Sequence, residues 1–329
     1  MRVRVIGAGS WGTALSLVLV RNGHMVELVT HDALSAAQLN QDRENREYLP
    51  GFRFTETIQV VPQGQQGGPA NFTVIAVPTG AVRDVLAHVA DGGIVCLASK
   101  GLDPETGGVV SDVLAQALPA SIPVALSGPN LAVELAKGVP TAAVCASGDE
   151  DAAELVRKAF NGKGYRVYIN DDVRGVELAG ALKNVIAIGA GVCDGLGFGD
   201  NTKGAFVCRG LAEITRLGVA MGARMETFLG LAGVGDLFAT CSSRLSRNYR
   251  VGLAVAGGAY VDDAVASVGQ TAEGVPTLKV ALKLAAEKGI EVPLMQTLNE
   301  VLMGILGFEE AISRLMERDT RFELGEKPH

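Results

Sequence analysis

Charged and polar side chains occur in this chain where the neighbouring residues would not solvate them. Lys183 and Asn184 stand in the otherwise apolar helical stretch 177–185. A lysine in such a stretch must find a partner or face a polar cleft, unless its side chain extends along the helix to the surface. Because a partly buried lysine can have its pKa lowered toward neutral pH, Lys183 is a candidate for proton transfer.

Histidine is the usual alternative for moving a proton, and none of the four histidines is well placed for it. His24 lies in a predicted turn and His31 at the end of a predicted strand. His88 lies on a helix face, and His329 is the last residue. A dehydrogenase that uses a His–Asp pair is therefore not expected. Lysine remains the candidate.

Further polar residues follow predicted strands or lie in flexible loops. Lys100 follows one short apolar strand, and Gly128 and Asn130 follow the next. Ligands of open α/β sheets bind beyond the carboxyl ends of the strands, so these residues are expected near one site. The alternative for Lys100 is a lysine on a surface loop. Asp236 and Arg247 lie in glycine- and serine-rich segments, and an arginine can donate two parallel hydrogen bonds to a phosphate or carboxylate.

A glycine-rich turn stands at the start of the chain. Residues 7–12, with Gly7, Gly9 and Gly12, have the spacing G-x-G-x-x-G between a predicted strand and a predicted helix. The first glycine permits the tight turn, the second lets the backbone approach a pyrophosphate, and the third allows close packing of helix and strand. Free N–H groups at the helix N-terminus would bind the phosphates. The pattern predicts a bound nicotinamide dinucleotide.

The residues expected to read the ribose of that cofactor are His31 and Asp32, about 20 positions further on. An aspartate accepts a hydrogen bond from a free 2′-hydroxyl and favours NAD, whereas an arginine would suit the 2′-phosphate of NADP. No arginine occurs here. A solvated turn is the alternative interpretation. The preference between NAD and NADP stays open, with NAD favoured.

Short apolar strands alternate with helices in the first half of the chain and are absent from the second half. This order predicts an α/β protein with an N-terminal Rossmann-type, doubly wound, mostly parallel sheet (residues 1–172). An all-α substrate-binding and catalytic domain is expected to follow (residues 173–329). The predicted strands are Arg2–Ile6, Met25–Val29, Phe72–Val77, Ile94–Ala98, Pro123–Leu126, Thr141–Ala146 and Arg166–Ile169. The helices predicted after Asp171 are Val176–Val192, Ala205–Met221, Asn248–Ala256, Thr277–Lys288 and Leu294–Leu306.

Composition narrows the class of protein. The 329 residues are 48% hydrophobic and 20% charged, with a net charge of −7. Without a basic block, nucleic-acid binding is not expected. The five scattered cysteines have neither metal-ligand nor disulfide spacing, so no metal is expected and a reducing compartment, the cytoplasm, is favoured. No stretch has the ~18 uncharged apolar residues that membrane insertion requires.

Long blocks of the sequence resemble the bacterial-type NAD(P)-dependent glycerol-3-phosphate dehydrogenase family. The resemblance extends through nearly the whole chain, and its middle blocks are far more specific than the glycine turn. The matching blocks are GAGSWGTALS (7–16), ENREYLPG (44–51), SKG (99–101), GPNLAVE (128–134), ELAGALKNVIAIGAGVCDGLGFGDNTK (177–203), RGLAEITRLG (209–218), GLAGVGDLFATCSSRLSRN (230–248) and AEGVPT (272–277).

This resemblance implies reduction of dihydroxyacetone phosphate to sn-glycerol 3-phosphate, the precursor of glycerophospholipids. Lys183 would be the proton donor and acceptor, Lys100 would polarise the carbonyl, and Asp236 would hold Lys183 charged and oriented, with Asn184 supporting the site. The substrate phosphate would be held by Arg247 and Asn248 with help from Gly128, Asn130 and Ser246. The cofactor would be lined by Ser10, Trp11, Lys100, Ala132, Arg247 and Glu273.

The chain departs from the family pattern at two places. Val29-Thr30-His31 stands where the family commonly has Trp-x-Arg, which bears on NADP preference. Gly128-Pro129-Asn130-Leu131-Ala132 stands where the family commonly has Gly-Pro-Ser-Phe-Ala, so an amide replaces a hydroxyl beside the substrate.

Two other functions are compatible with the glycine turn and a helical second domain. A related 3-hydroxy-acid or sugar-acid dehydrogenase would not need Arg247 and Asn248 as a phosphate clamp. A non-catalytic dinucleotide sensor would have no use for a buried pair of Lys183 and Asp236. For the helical domain, we expect a role in homodimer formation.

Overall fold

Ten strands form the sheet structure of the computed structural model, which describes residues 1–269 and 271–317. His329 therefore lies outside the described residues. Strands β3 and β4 form a separate antiparallel hairpin, and the other eight form one sheet. The strands are β1 (Arg2–Ile6), β2 (Met25–Thr30), β3 (Glu44–Asn45), β4 (Leu49–Arg53), β5 (Ile58–Pro62), β6 (Phe72–Ile75), β7 (Ile94–Leu97), β8 (Ile122–Ser127), β9 (Thr141–Ala146) and β10 (Tyr165–Asn170).

The large sheet has the strand order β10-β9-β8-β7-β6-β1-β2-β5. All neighbouring strands in it run parallel except β8 and β9. From β1 the chain first extends the sheet through β2 to β5 and then returns to β6 on the other side of β1. This reversal creates the crevice at the carboxyl ends of β1 and β6 where doubly wound sheets bind ligands. The predicted Rossmann-type sheet is confirmed.

Helices cover the sheet in the first half and build the second half alone. Within the described residues no strand follows β10, so the predicted all-α arrangement after Asp171 is confirmed. The helices are α1 (Ser10–Arg21), α2 (Ala33–Asp42), α3 (Val82–Leu86), α4 (Val110–Ala117), α5 (Ala132–Lys137), α6 (Glu150–Phe160), α7 (Val173–Gly195), α8 (Asp200–Ala220), α9 (Met225–Leu229), α10 (Asp236–Cys241), α11 (Arg247–Ala256), α12 (Val261–Ser267), α13 (Gly274–Glu287), α14 (Pro293–Leu302) and α15 (Phe308–Met316).

Helix α7 is the central helix of the second half and packs against α8, α10, α11 and α13. Its 23 residues include an 18-residue window with a mean hydropathy high enough to cross a membrane. That window is completely buried inside the protein, as befits a core helix. A helix that is buried all round is mostly apolar on every face, which explains the high hydropathy of α7.

Several elements between β2 and β6 were not predicted from the sequence. Helix α2 buries only Ala36 and Leu39, so its apolar face is too narrow to produce a clear helical period. Strand β4 contains Pro50 and Gly51, residues that weaken a strand pattern. Helix α1 begins at Ser10, since the turn after Gly9 leads directly into it.

Candidate active site

Two lysines share one buried carboxylate between the halves of the protein. The Lys183 ammonium donates to Asp236 Oδ1 at 2.9 Å and to Thr240 Oγ1 at 2.6 Å. The Lys100 ammonium donates to Asp236 Oδ2 at 2.7 Å and to the Gly128 carbonyl at 3.0 Å. Lys183 is only 6% exposed, so the alternative that its side chain extends to the surface is wrong.

Each group of this cluster comes from a different element. Lys100 follows β7, and Gly128 follows the adjacent parallel strand β8. Lys183 lies in the middle of α7, and Asp236 is the first residue of α10, directly after a π-helical turn (Leu231–Gly235). The carboxyl edge of the sheet therefore meets the central helix of the second half at this cluster.

Burial and the neighbouring charges have opposing effects on the pKa values of the groups in this cluster. Burial lowers the pKa of Lys183 to about 8; repulsion from Lys100 adds to this effect, and attraction by Asp236 opposes it. Burial would raise the pKa of Asp236, but the charges of Lys100 and Lys183 outweigh it and hold that pKa below its ordinary value. A carboxylate between two ammonium groups leaves one net positive charge in a buried place, which can stabilise a developing oxyanion.

An amide network joins this cluster to helices α11 and α13. The Asn184 amide donates to the Lys100 carbonyl at 3.0 Å, and its oxygen accepts from the Asn248 amide at 2.9 Å. The Asn248 oxygen in turn accepts from the Gly274 N–H at 2.9 Å. Both residues are buried. The Asn248 side chain thus uses its oxygen and one of its two amide protons within the protein, while neither bond uses its second amide proton or its backbone N–H.

The N-terminus of α11 carries the predicted phosphate residues. Ser246 caps the helix, its hydroxyl accepting from the Tyr249 N–H at 3.2 Å. Arg247 and Asn248 are the first two helical residues, so their N–H groups have no acceptor within the helix. The Arg247 guanidinium is half-buried, and burial lowers its pKa while the Glu273 carboxylate raises it. These donors suit a phosphate.

The glycine turn has the shape that a dinucleotide requires. Gly7 has a φ of 109°, which favours glycine, and a Cβ on Gly12 would stand 1.9 Å from the Gly7 carbonyl oxygen. A Cβ on Gly9 would meet no protein atom within 4 Å, so the backbone there faces open space. Ser10 and Trp11 begin α1, and the Trp11 indole donates to the Ala98 carbonyl at 3.1 Å.

Glu273 connects the helical half to two loops of the sheet. Its Oε1 accepts from the Thr79 N–H at 2.9 Å, and a Cβ on Gly101 would stand 2.9 Å from its Oε2. Burial raises the pKa of Glu273, while the bond from Thr79 and the charge of Arg247 lower it. Ala132 begins α5 just after Asn130, at the same edge of the sheet.

His31 and Asp32 lie where the sequence predicts them, at the end of β2. Asp32 is the N-cap of α2 and accepts from the Ser35 N–H at 2.7 Å and the Ser35 hydroxyl at 2.8 Å. His31 is largely exposed, with its Nε2 2.6 Å from the Asp32 carboxylate. The carboxylate therefore has a structural partner of its own in addition to any ribose.

Several buried polar atoms of this region have no hydrogen-bond partner within the described part of the chain. They belong to the side chains of Thr79, Ser127, Asn130 and Thr277. Ser127 and Asn130 flank Gly128, and Thr79 contacts Glu273. Buried polar groups are nearly always satisfied in native proteins, so this group fits a polar ligand bound between the two halves.

Sequence reasoning missed some residues that build the site. Thr240 binds Lys183 one helical turn after Asp236, a spacing that could have drawn attention to it. Asn45, in the β3–β4 hairpin, donates to the Ala8 carbonyl and to the Thr13 hydroxyl, both at 2.8 Å, and so supports the glycine turn. No local signal in the sequence indicates this long-range contact.

Two family models match the chain one after the other. The model described as the N-terminus of NAD-dependent glycerol-3-phosphate dehydrogenase matches residues 2–153, and that of its C-terminus matches residues 172–313. A glycerol-3-phosphate dehydrogenase (NAD(P)+) of Chlorobium phaeobacteroides is 44% identical over 331 residues, covering 98% of this chain and 99% of the relative. The chain belongs to the NAD-dependent glycerol-3-phosphate dehydrogenase family.

Other members of this family are similar over the same length. A glycerol-3-phosphate dehydrogenase (NAD(P)+) of Geobacillus thermodenitrificans is 44% identical over 336 residues, covering 98% of this chain and 97% of the relative. The crystal structure of glycerol-3-phosphate dehydrogenase from Coxiella burnetii superposes with a TM-score of 0.91 at 35% identity, covering 96% and 99% of the two chains. Membership of the family extends to both halves of the fold and makes the chain an NAD(P)-dependent oxidoreductase.

No metal site accompanies the cluster of charged residues in the part of the chain that the structure describes. In residues 1–269 and 271–317, no three histidine, cysteine, aspartate or glutamate side chains converge as ligands would. The five cysteines are free, and only Cys208 is exposed.

Proposed function

We propose that this enzyme interconverts dihydroxyacetone phosphate and sn-glycerol 3-phosphate with NADH or NADPH. The observation that carries the proposal is the placement of the Lys100–Asp236–Lys183 cluster beside the N-terminus of α11, joined to it by the Asn184–Asn248 hydrogen bond. A proton donor and a set of phosphate ligands are thus connected within one cleft. The names of the relatives support the same reaction.

Lys183 gives the proton to the carbonyl oxygen in this proposal. An ammonium group has three N–H donors, and Lys183 uses one for Asp236 and one for Thr240. Lys100 uses one for Asp236 and one for Gly128. Each lysine therefore keeps one donor for the substrate oxygen. Asp236 orients both, and their net positive charge stabilises the oxygen as its negative charge develops.

The residues that would hold the cofactor are the glycine turn with Ser10 and Trp11, together with Lys100, Ala132, Arg247 and Glu273. When bound, the dinucleotide supplies a hydride to the substrate carbon. The N–H groups at the start of α1 face the open space beside Gly9, where its phosphates fit. Asp32 disfavours a 2′-phosphate by charge repulsion, so we propose a preference for NADH.

The substrate phosphate binds at the start of α11. The backbone N–H groups of Arg247 and Asn248, the Arg247 guanidinium and the Ser246 hydroxyl are the donors. Ser246 accepts from Tyr249, and its own proton stays available. The Asn130 amide, which has no hydrogen-bond partner among the described residues, and Gly128 complete the substrate contacts on the side of the sheet.

The test follows NADH and NADPH oxidation in parallel with dihydroxyacetone phosphate and with unphosphorylated dihydroxyacetone. We expect rapid oxidation only with the phosphate ester, and faster oxidation of NADH than of NADPH. No oxidation with the phosphate ester would overturn the proposal. Activity on a non-phosphorylated hydroxy acid would instead favour a hydroxy-acid or sugar-acid dehydrogenase, and tight NADH binding without turnover would favour a sensor.

The domain boundary, the oligomeric state and the location in the cell are also proposals. We place the domain boundary at residues 172 and 173, where β10 has ended and α7 begins at Val173. We propose that the enzyme acts as a homodimer in the cytoplasm. Sedimentation equilibrium of the purified chain and fractionation of the cells that produce it test these two statements.

A further inference from the structure

A second polar cluster stands at the C-terminal end of α7, outside the site described above. The Asp194 carboxylate accepts from the Lys203 ammonium at 2.9 Å and from the Tyr249 hydroxyl through the same oxygen, Oδ2. Burial would raise the pKa of Asp194, but the bonds from Tyr249 and Lys203 outweigh it and hold that pKa low, aided by the charge of Arg244. Asp194 is therefore a charged acceptor that joins α7, α8 and α11.

Tyr249 places this cluster next to the phosphate-binding end of α11. It is the third residue of that helix, two positions after Arg247, and it is buried. Its carbonyl oxygen lies against Gly191, where a Cβ would approach it to 2.0 Å. Gly191 and Asp194 are one turn apart on α7. The first turn of α11 is thus attached to α7 at two points, the carbonyl and the hydroxyl of one residue.

We propose that Asp194 is a positioning residue for the phosphate site, acting through Tyr249 and Lys203. It sets where the N-terminus of α11 stands relative to Lys183. This inference rests on the proposed function, because it requires that α11 binds a phosphate. Asp194 itself does not touch the substrate.

The inference predicts which kinetic constant changes. Charge-assisted hydrogen bonds to a phosphate depend steeply on distance and angle, so a shift of the first turn of α11 weakens binding of the phosphate. Asp236 and Thr240, which hold Lys183, lie on α10 and not on α11, so proton transfer is retained. Loss of the Tyr249 hydroxyl therefore raises KM for the phosphorylated substrate and leaves kcat nearly unchanged.

The experiment compares Tyr249→Phe with Tyr165→Phe, which removes a buried hydroxyl that has no hydrogen-bond partner in the described residues. For Tyr249→Phe we expect KM for dihydroxyacetone phosphate and the inhibition constant of inorganic phosphate to rise together, each roughly tenfold. The kcat/KM for unphosphorylated dihydroxyacetone is expected to stay within about twofold, since that substrate does not use the site. Tyr165→Phe is expected to change none of these constants.

A second pair of variants separates positioning from folding. Asp194→Asn keeps an acceptor for the Tyr249 hydroxyl, so we expect a rise in KM of at most about threefold, whereas Asp194→Ala raises it roughly tenfold. A lower melting temperature with KM unchanged in Tyr249→Phe and Asp194→Ala would overturn the inference. If the wild-type enzyme acted equally well on dihydroxyacetone phosphate and on unphosphorylated dihydroxyacetone, the proposed function would be overturned instead.

Discussion

At the scale of single residues, the chemistry depends on how the buried Lys183 side chain keeps a proton that it can transfer. Lys183 would lose its proton readily if burial acted alone, because desolvation disfavours the ammonium form. Asp236 restores the charge, while Lys100 competes for the same carboxylate. The result is a pKa of about 8, close to the pH at which a general acid and its conjugate base both work well.

Replacing Lys183 by alanine should remove the proton donor without disturbing the glycine turn. We expect turnover with dihydroxyacetone phosphate to fall by about 10²–10⁴-fold. The dissociation constant of NADH, measured by fluorescence titration, should stay near the wild-type value. Lys283→Ala, at an exposed position of α13, is the matched control and should retain full turnover. Near wild-type turnover in Lys183→Ala would show that another group transfers the proton.

The two directions of the reaction should depend on pH in opposite ways. Reduction needs Lys183 protonated, so its kcat should fall as pH rises through about 8. Oxidation of sn-glycerol 3-phosphate needs the neutral amine and should rise over the same range. In Asp236→Asn the counter-charge is lost, so the pKa of Lys183 should drop and both profiles should move to lower pH. Steady-state rates of reduction and of oxidation between pH 6 and 10 measure these profiles. If both rates changed with pH in the same direction, the role of Lys183 in proton transfer would be contradicted.

At the scale of elements, contact between α7 and α11 determines how far the phosphate site lies from the proton donor. The helices cross with their backbones nearly touching. A Cβ on Gly252 would stand 1.9 Å from the Ile188 carbonyl oxygen, and one on Gly191 would stand 2.0 Å from that of Tyr249. Glycine on both helices permits this approach, and any side chain would push α11 away from α7.

Gly252→Ala tests whether this close approach outweighs helix propensity. Alanine favours a helix by about 1 kcal/mol over glycine, but overlap with backbone atoms costs typically 1–3 kcal/mol or more. We expect a net loss of about 1–2 kcal/mol in the free energy of unfolding, measured with urea. Gly204→Ala is the matched control, since its Cβ would meet nothing within 4 Å on the exposed side of α8. It should stabilise the protein, and a stabilised Gly252→Ala would refute the packing argument.

At the scale of the whole molecule, a few polar contacts join the sheet to the helical half. Glu273 accepts from Thr79, and Asn184 donates to the Lys100 carbonyl. About two turns before Asn184 on α7, Glu177 accepts from the N–H and the hydroxyl of Ser111 at the start of α4. Burial raises the pKa of Glu177 to about 7, and the bonds from Ser111 oppose this rise.

Glu177 should make stability depend on pH near neutrality. Because its pKa rises from 4.5 to about 7 on folding, its contribution is fully present below pH 4.5 and is lost as pH rises through about 7. Glu177→Gln can keep both contacts to Ser111 without a charge. We expect the variant to be more stable than the wild type by less than about 1 kcal/mol at pH 5 and by roughly 2–3 kcal/mol at pH 8. Urea unfolding at pH 5 and pH 8 measures the free energy of unfolding of both proteins. If the variant and the wild type differed by the same amount at both pH values, the role of the Glu177 charge would be contradicted.

The sequence predicted the candidate site residues by type, but their contacts depended on the fold. Lys183 was recognisable because a lysine in an apolar helix needs a partner, and Asp236 because it stands in a glycine-rich segment. The role of Thr240 was missed, since a threonine in a helix is common and carries no charge. The engagement of Asn248 within the protein was also not predictable, because its partners Asn184 and Gly274 are distant in the chain.

Among the helices and strands, those decided by neighbouring residues were predicted and those held by distant contacts were missed. The strand–turn–helix unit around Gly7 and the strand Thr141–Ala146 were predicted correctly, because neighbouring residues decide a tight turn and a short apolar run. Helix α2 and the β3–β4 hairpin were missed, since they are held by contacts such as that of Asn45 with the Ala8 carbonyl. Their own apolar patterns are weak.

By itself the sequence determined the doubly wound sheet, the helical second half and the residues able to do chemistry, since these depend on local periodicity and residue type. The tertiary structure alone decided that Lys100 and Lys183 share one carboxylate, which is 136 residues from the first lysine and 53 from the second. Burial, the competing charges and the resulting pKa of Lys183 arise only when the sheet edge packs on α7. Desolvation and Coulomb energy depend on distances in space, which spacing along the chain does not specify.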